Sequence, residues 1–378
     1  MRPLGHGIQK LAGAAYVTQR AYRLPWLSFL VGLAIVCSGL TSVATQSRVF
    51  SANLAAILGT EGLPVWVLAI GFLLLLAAIV FRGIQESMWV NMVCTAIEAV
   101  GLLIVIGAGI SFWGAVDYFE TPPTRNAGLA LLVFQGAVLT FFAFIGFEDT
   151  INVAEECRDP QRTVPIGLML AMGIASVLYV AVAITSVSVV PWRELAEAPG
   201  PLTEVMARAA PGLSPIAFTA ITLFAVANTA LVNYVTASRL LYGMACQGLL
   251  PARLAAVHPS TRTPRIAVAL LLVILVPLAS FGTIGQLASA TVLLLLVVFG
   301  IVNGALFVLK RRPGERRGKF EVPVIVPALG ATVCAALIIV RVAAGDWRAP
   351  ALAAALLSAI CVLYAALRAR RVLPFWGL

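Results

Sequence analysis

Apolar runs that are free or nearly free of charge recur along the chain at about 25–47, 62–81, 87–116, 126–147, 163–192, 209–238, 266–309, 322–340 and 349–367. A helix needs roughly 20 predominantly apolar residues to cross about 30 Å of hydrocarbon, so every run is a candidate membrane span. The run 266–309 has twice that length, and Phe281-Gly282-Thr283-Ile284-Gly285-Gln286 interrupts it. That break predicts a tight hairpin of two helices. Ten spans follow, with both chain ends on one side of the membrane.

Charge then says which side. Loops taken alternately divide the basic residues very unequally. One set holds only Arg48, Arg125, Arg193, Arg208, Arg341 and Arg348, and the other holds the remaining 20 of the 26. Basic residues gather in cytoplasmic loops, so both termini are expected in the cytoplasm. The run from Lys310 to Lys319 either enforces this orientation or holds a lipid head group or a partner.

Composition agrees with a lipid environment. Of 378 residues, 61% are hydrophobic and 11% charged, more apolar surface than a soluble domain can hide. The net charge of +10 sits in the loops and gives no reason to expect nucleic acid. Six cysteines stand singly and the chain has two histidines, so neither a disulfide framework nor a metal site is indicated. No cofactor is expected. No nucleophile elbow, phosphate-binding glycine loop or HExxH pattern occurs, so nothing supports an enzyme.

Candidate chemistry lies where polarity intrudes on the apolar runs. In Phe141-Phe142-Ala143-Phe144-Ile145-Gly146-Phe147-Glu148-Asp149-Thr150 a glycine stands between aromatics, with two carboxylates directly after it. Unwound backbone there would expose carbonyls to an ammonium group or cation. An ordinary helix whose carboxylates reach the cytoplasmic surface fits the same spacing. Glu98 has about ten apolar residues on each side, too deep to reach water. It is a proton-relay candidate, or a neutral side chain that packs against a neighbouring helix. Asn228 and Asn233 either line a substrate path or bond between helices. Ser38, Thr41, Ser42 and Thr45 also suit close helix packing.

Three longer stretches now carry a resemblance. Phe141 to Pro165, FFAFIGFEDTINVAEECRDPQRTVP, resembles the sixth-helix signature of the amino acid–polyamine–organocation permease superfamily. Ser238 to Pro264, SRLLYGMACQGLLPARLAAVHPSTRTP, is similar to the loop after that family's eighth helix. Gly13 to Gly32, GAAYVTQRAYRLPWLSFLVG, resembles the approach to its third helix, and Phe320-Glu321-Val322-Pro323 is similar to the lead into its eleventh.

The resemblance implies an all-α integral membrane protein of about ten transmembrane helices, a LeuT-like inverted-repeat fold truncated at the N-terminus. Residues 1–24 would form a cytoplasmic segment, 25–311 the family's helices three to ten, and 322–371 its two additional C-terminal helices. It assigns substrate binding to Phe142, Ala143, Phe144, Gly146, Phe147 and Glu148, with Asn228 and Asn233 on the eighth helix behind them. Two departures stand out. No glycine-rich first-helix break precedes Gly13, so the first two family helices are expected to be absent. Glu98 occupies a fifth-helix position where some proton-coupled relatives carry lysine.

The expected function is secondary active transport of an amino acid, polyamine or related amine across the cell membrane by alternating access. Proton coupling through Glu98, or exchange, would drive it. The acids at 98 and 148 lean toward a cationic or proton-linked substrate. The alternative is a truncated, non-transporting membrane remnant or sensor.

Overall fold

A computed structural model describes residues 13–59, 64–82, 88–120, 129–147, 159–198, 200–259, 261, 263–313, 321–343 and 346–369. Among them every regular element is helical. An amphipathic α1 (Gly13–Tyr22) precedes the first span, α2 (Pro25–Leu58). Next come α3 (Val65–Arg82), α4 (Met88–Gly109), α5 (Leu129–Thr140) and α6 (Pro160–Val189). Two short helices, α7 (Trp192–Glu197) and α8 (Pro201–Ala209), lead to α9 (Pro215–Cys246). The chain then runs through α10 (Arg265–Phe281), α11 (Ile284–Arg311), α12 (Ile325–Ala343) and α13 (Arg348–Ala369). Eight of these helices are long and apolar enough to cross a bilayer, and two shorter apolar helices, at 132–144 and 265–281, accompany them. Each apolar run of the sequence thus contains its helix, and the protein is an all-helical membrane protein.

The hairpin falls at its expected place for two physical reasons. A β-carbon on Gly282 would lie 2.6 Å from the Leu287 side chain and 2.8 Å from the Leu278 carbonyl, so only glycine fits. Thr283 then caps α11 in a capping box with Gln286, which satisfies two of the orphan donors at the helix start.

Packing centres on α2, which touches α1, α3, α9, α10, α11 and α13. Its small residues allow this closeness. The β-carbon position of Gly39 is 3.6 Å from Ala237, and that of Gly32 is 3.0 Å from the Met244 side chain. Most of its hydroxyls are satisfied within the helix: Ser38 donates to the Ile35 carbonyl, Thr45 to Thr41 and Ser51 to Ser47, while Ser28 donates to Gln19 of α1. At about 1.5 Å per residue α2 rises about 50 Å, more than a bilayer's hydrocarbon. It therefore runs past residue 47, where the apolar run ends, and stops at Gly59 in the left-handed conformation.

At the opposite extreme is α5. Its 12 α-helical residues rise only about 18 Å. The chain tightens into a 3-10 turn over Phe141–Phe144, becomes extended at Ile145 with ψ 138°, and turns at Gly146 with φ 117°. This region of backbone space is open to glycine and costly for residues bearing a β-carbon. The helix is broken where the sequence places glycine among aromatics.

Candidate functional site

The broken segment meets α2 and α9 at a small cleft. Ile35, Ser38, Gly39 and Ser42 form one wall, Asn233, Thr236, Ala237 and Leu240 a second, and Ile145 closes it from the break. Its volume is ≈30 Å³, about one water's share of liquid. The amide of Asn233 donates to the Ser42 hydroxyl at 3.0 Å, which fixes the polar side. Hydroxyls and an amide thus face aliphatic side chains, an arrangement suited to a small molecule with one polar and one apolar end.

The other site residues divide between two neighbours. Phe142 packs with Ile145 against Val138, Val292 and Leu296. The Phe147 ring lies 5.2 Å from that of Phe299 on α11. Phe144 meets Tyr179 on α6 edge-to-face at 5.1 Å, and the Tyr179 hydroxyl donates to the Ala143 carbonyl at 2.9 Å. The three phenylalanines therefore anchor the break to helices on either side, and Ile145, which the sequence reading passed over, faces the cleft. Glu148 lies outside the described residues.

Glu98 and Asn228 come together away from the cleft. The Asn228 amide donates to a Glu98 carboxylate oxygen at 3.2 Å, joining α4 to α9. Tyr179 lies within electrostatic reach of the same carboxylate. Asn228 with Glu98 thus forms one hydrogen-bonded pair, and Tyr179 with the Ala143 carbonyl another. Both asparagines bond between helices, and Asn233 lines the cleft as well.

Tyr179, like Ile145, is a residue that sequence reasoning missed. Its signal was faint: a lone tyrosine in the aliphatic stretch Val177-Leu178-Tyr179-Val180-Ala181-Val182. Thr41 and Ser42 serve the packing anticipated for them. The Thr291 hydroxyl donates to Thr41 at 2.7 Å, and Ser42 receives Asn233.

Comparison with known proteins agrees with this architecture. Residues 4–366 match the model of a family described as amino acid permease. The chain is 28% identical over 330 residues to the methylthioribose transporter of Bacillus subtilis, covering 83% of this chain and 69% of that protein. It is 26% identical over 279 residues to the branched-chain amino acid permease BcaP of Bacillus subtilis, covering 73% and 58% respectively. With cationic amino acid transporter 9, chloroplastic, of Arabidopsis thaliana it shares 33% identity over 194 residues, 51% of this chain and 33% of that protein. The chain therefore spans between 33% and 69% of the length of these three relatives. With the family match running over nearly all of its residues, the chain belongs to the amino acid permease family of the amino acid–polyamine–organocation superfamily.

Proposed function

We propose that this chain carries an amino acid or a related amine across a cell membrane by alternating access, with its basic end and both termini in the cytoplasm. The observation that carries the reading is the break at Gly146, which brings Ile145 against Asn233 and Ser42 within the apolar part of the fold. Backbone leaves its helical path inside a bilayer only where it is buried in protein or lines a water-filled cavity. Once Tyr179 releases it, the Ala143 carbonyl accepts a hydrogen bond of an ammonium group, and Ile35, Ile145 and Leu240 receive an aliphatic side chain. Names among the relatives include branched-chain and cationic amino acid carriers, which supports the amine. The water-sized cleft opens to admit substrate as α5 and α6 move against α2 and α9.

Glu98 stands outside the cleft lining, which favours a proton carrier over a counter-ion for the substrate. On this reading Tyr179 links the two. Its hydroxyl either holds the Ala143 carbonyl, as here, or turns to the Glu98 carboxylate when the proton leaves. Proton loss then frees the break.

Proteoliposome uptake tests both parts. A panel of branched-chain, cationic and small neutral amino acids, polyamines and methylthioribose should yield one amine substrate whose uptake depends on external pH. The Glu98→Gln protein should keep binding that substrate but lose the pH dependence. Normal pH dependence in that variant removes Glu98 from coupling, and transport of methylthioribose alone overturns the amine assignment.

A further inference from the structure

A second recess, sharing no lining residue with the cleft, lies between α2 and α13 toward the start of α2. Its volume is ≈210 Å³, roughly seven times the ≈30 Å³ share of one liquid water. Phe29 and Ile360, both buried, form its floor, and the rings of Phe29 and Tyr364 meet at 5.3 Å. Trp26, Cys361 and Arg368 form an exposed rim. This end of the bundle is identified by geometry. The Arg312 guanidinium, just past α11, donates to the Arg20 and Ala21 carbonyls of α1, so the end of α11 and the start of α2 lie together.

Two features determine what fills the recess. It opens between membrane-spanning helices, so its apolar walls face acyl chains. Tryptophan and tyrosine beside an arginine are the residues that settle at head-group depth. Among the described residues neither Arg368 nor Arg23, three residues before Trp26, has a carboxylate or other side-chain partner, whereas Arg208 and Arg341 at the opposite end are both ion-paired. Arg368 at the rim of an aromatic groove, with no side-chain partner among the described residues, suits an anion on an apolar chain.

We infer that the α2–α13 groove is a binding site for an anionic phospholipid, with one acyl chain over Phe29 and Ile360 and the head-group phosphate on Arg368. The site is independent of the transport reading, since neither helix end touches Asn233 or Gly146. Cys361, exposed on the rim, is its built-in reporter.

The test follows alkylation of Cys361 by N-phenylmaleimide in the detergent-solubilised full chain, read by peptide mass spectrometry. Phosphatidylglycerol should slow the reaction several-fold relative to phosphatidylcholine, and inorganic phosphate, lacking a chain, should leave it unchanged. Arg368→Gln should weaken the protection about fivefold, as expected for one basic side chain near an anionic surface, and Arg368→Lys should restore much of it. Native mass spectrometry gives a second readout, counting phosphatidylglycerol adducts retained by each variant. Equal protection by the two lipids, or full protection in the Arg368→Gln protein, overturns the proposal.

Discussion

The α2, α9 and α11 hub and the α4, α5 and α6 wing bond their hydroxyls alike and differ in how far the protein buries them. In α2, 72% of the most apolar window is buried, and its hydroxyls bond largely to their own helix. In the α6 window none is buried, and Met169, Ile174 and Val177 point outward. Lipid solvates such residues as well as a protein interior does, so this exposure carries no penalty. The hydroxyls of α6 also bond to their own helix, Ser176 to Met172, Ser186 to Val182 and Ser188 to Ile184, and the wing adds bonds that reach across. Tyr179 bonds to Ala143, Trp113 to Thr185, Tyr118 to Ser188, and Glu98 receives Asn228 from the hub. The hub is held by its buried core as well as by bonds between its helices, such as Thr291 to Thr41 and Tyr234 to Val268. Elements held by a few cross-helix bonds can exchange them, and the cleft lies on the seam between the two.

Substitutions should therefore separate stability from transport. The largest effect is expected at Gly146→Val. Its φ of 117° costs a branched residue about 1–3 kcal/mol, so the break must rearrange. Uptake should fall at least tenfold while thermal denaturation in detergent moves little, and unchanged uptake would show that the turn is dispensable. Gly282→Val should do the reverse. Its branched side chain meets Leu287 and the Leu278 carbonyl, an overpacking cost of about 1–3 kcal/mol. The expected readout is a lowered denaturation midpoint, with uptake per folded molecule near normal.

Smaller effects sharpen the contrast. Tyr179→Phe keeps the edge-to-face contact with Phe144 and deletes the bond to Ala143. The pH profile of uptake should shift, whereas a purely structural tyrosine would alter only stability. In the hub, a double-mutant cycle of Thr41→Val and Thr291→Val should show a coupling of about 0.6 kcal/mol, the average for hydrogen bonds between membrane helices, without changing the pH profile. The smallest effect is at Asp346, in the loop after α12. The Arg341 guanidinium, then the Arg348 backbone N–H, hold its carboxyl below the usual carboxylate range. Its contribution is present above the ordinary carboxylate pKa and lost as pH falls through the lowered value. Exposure keeps it small. Asp346→Asn should lower the denaturation midpoint slightly at neutral pH, and the difference should vanish in acid.

How much of this was legible in the sequence depends on how local each cause is. The hairpin at Gly282 was visible because a glycine and its immediate neighbours decide it; at Gly146 the spacing fitted an ordinary helix equally, and the family resemblance was what pointed to a break. The exact end of α5 was not: the helix tightens from Phe141, since Phe141, Phe142 and Phe147 pack toward Phe299 and its neighbours while Phe144 packs toward Tyr179, and those partners lie far along the chain. The length of α2 was hidden because the apolar run ends at the bilayer surface, while its helical bonds continue until Gly59 stops them. Glu98 and Asn228 stood out separately as polar residues in apolar runs. Their pairing across 130 positions follows from how α4 meets α9, which no pattern within either helix specifies. Tyr179 was hidden for the same reason.

The central claim, that the broken segment and the Ser42–Asn233 pair receive the substrate, is tested most directly by protection of a single cysteine at Ile145. In an Ile145→Cys protein with its six native cysteines replaced, the transported amino acid should slow labelling by a small charged methanethiosulfonate, with a midpoint near the substrate's half-saturating concentration. Labelling at the same rate with and without substrate, in a protein that still transports it, would contradict the account.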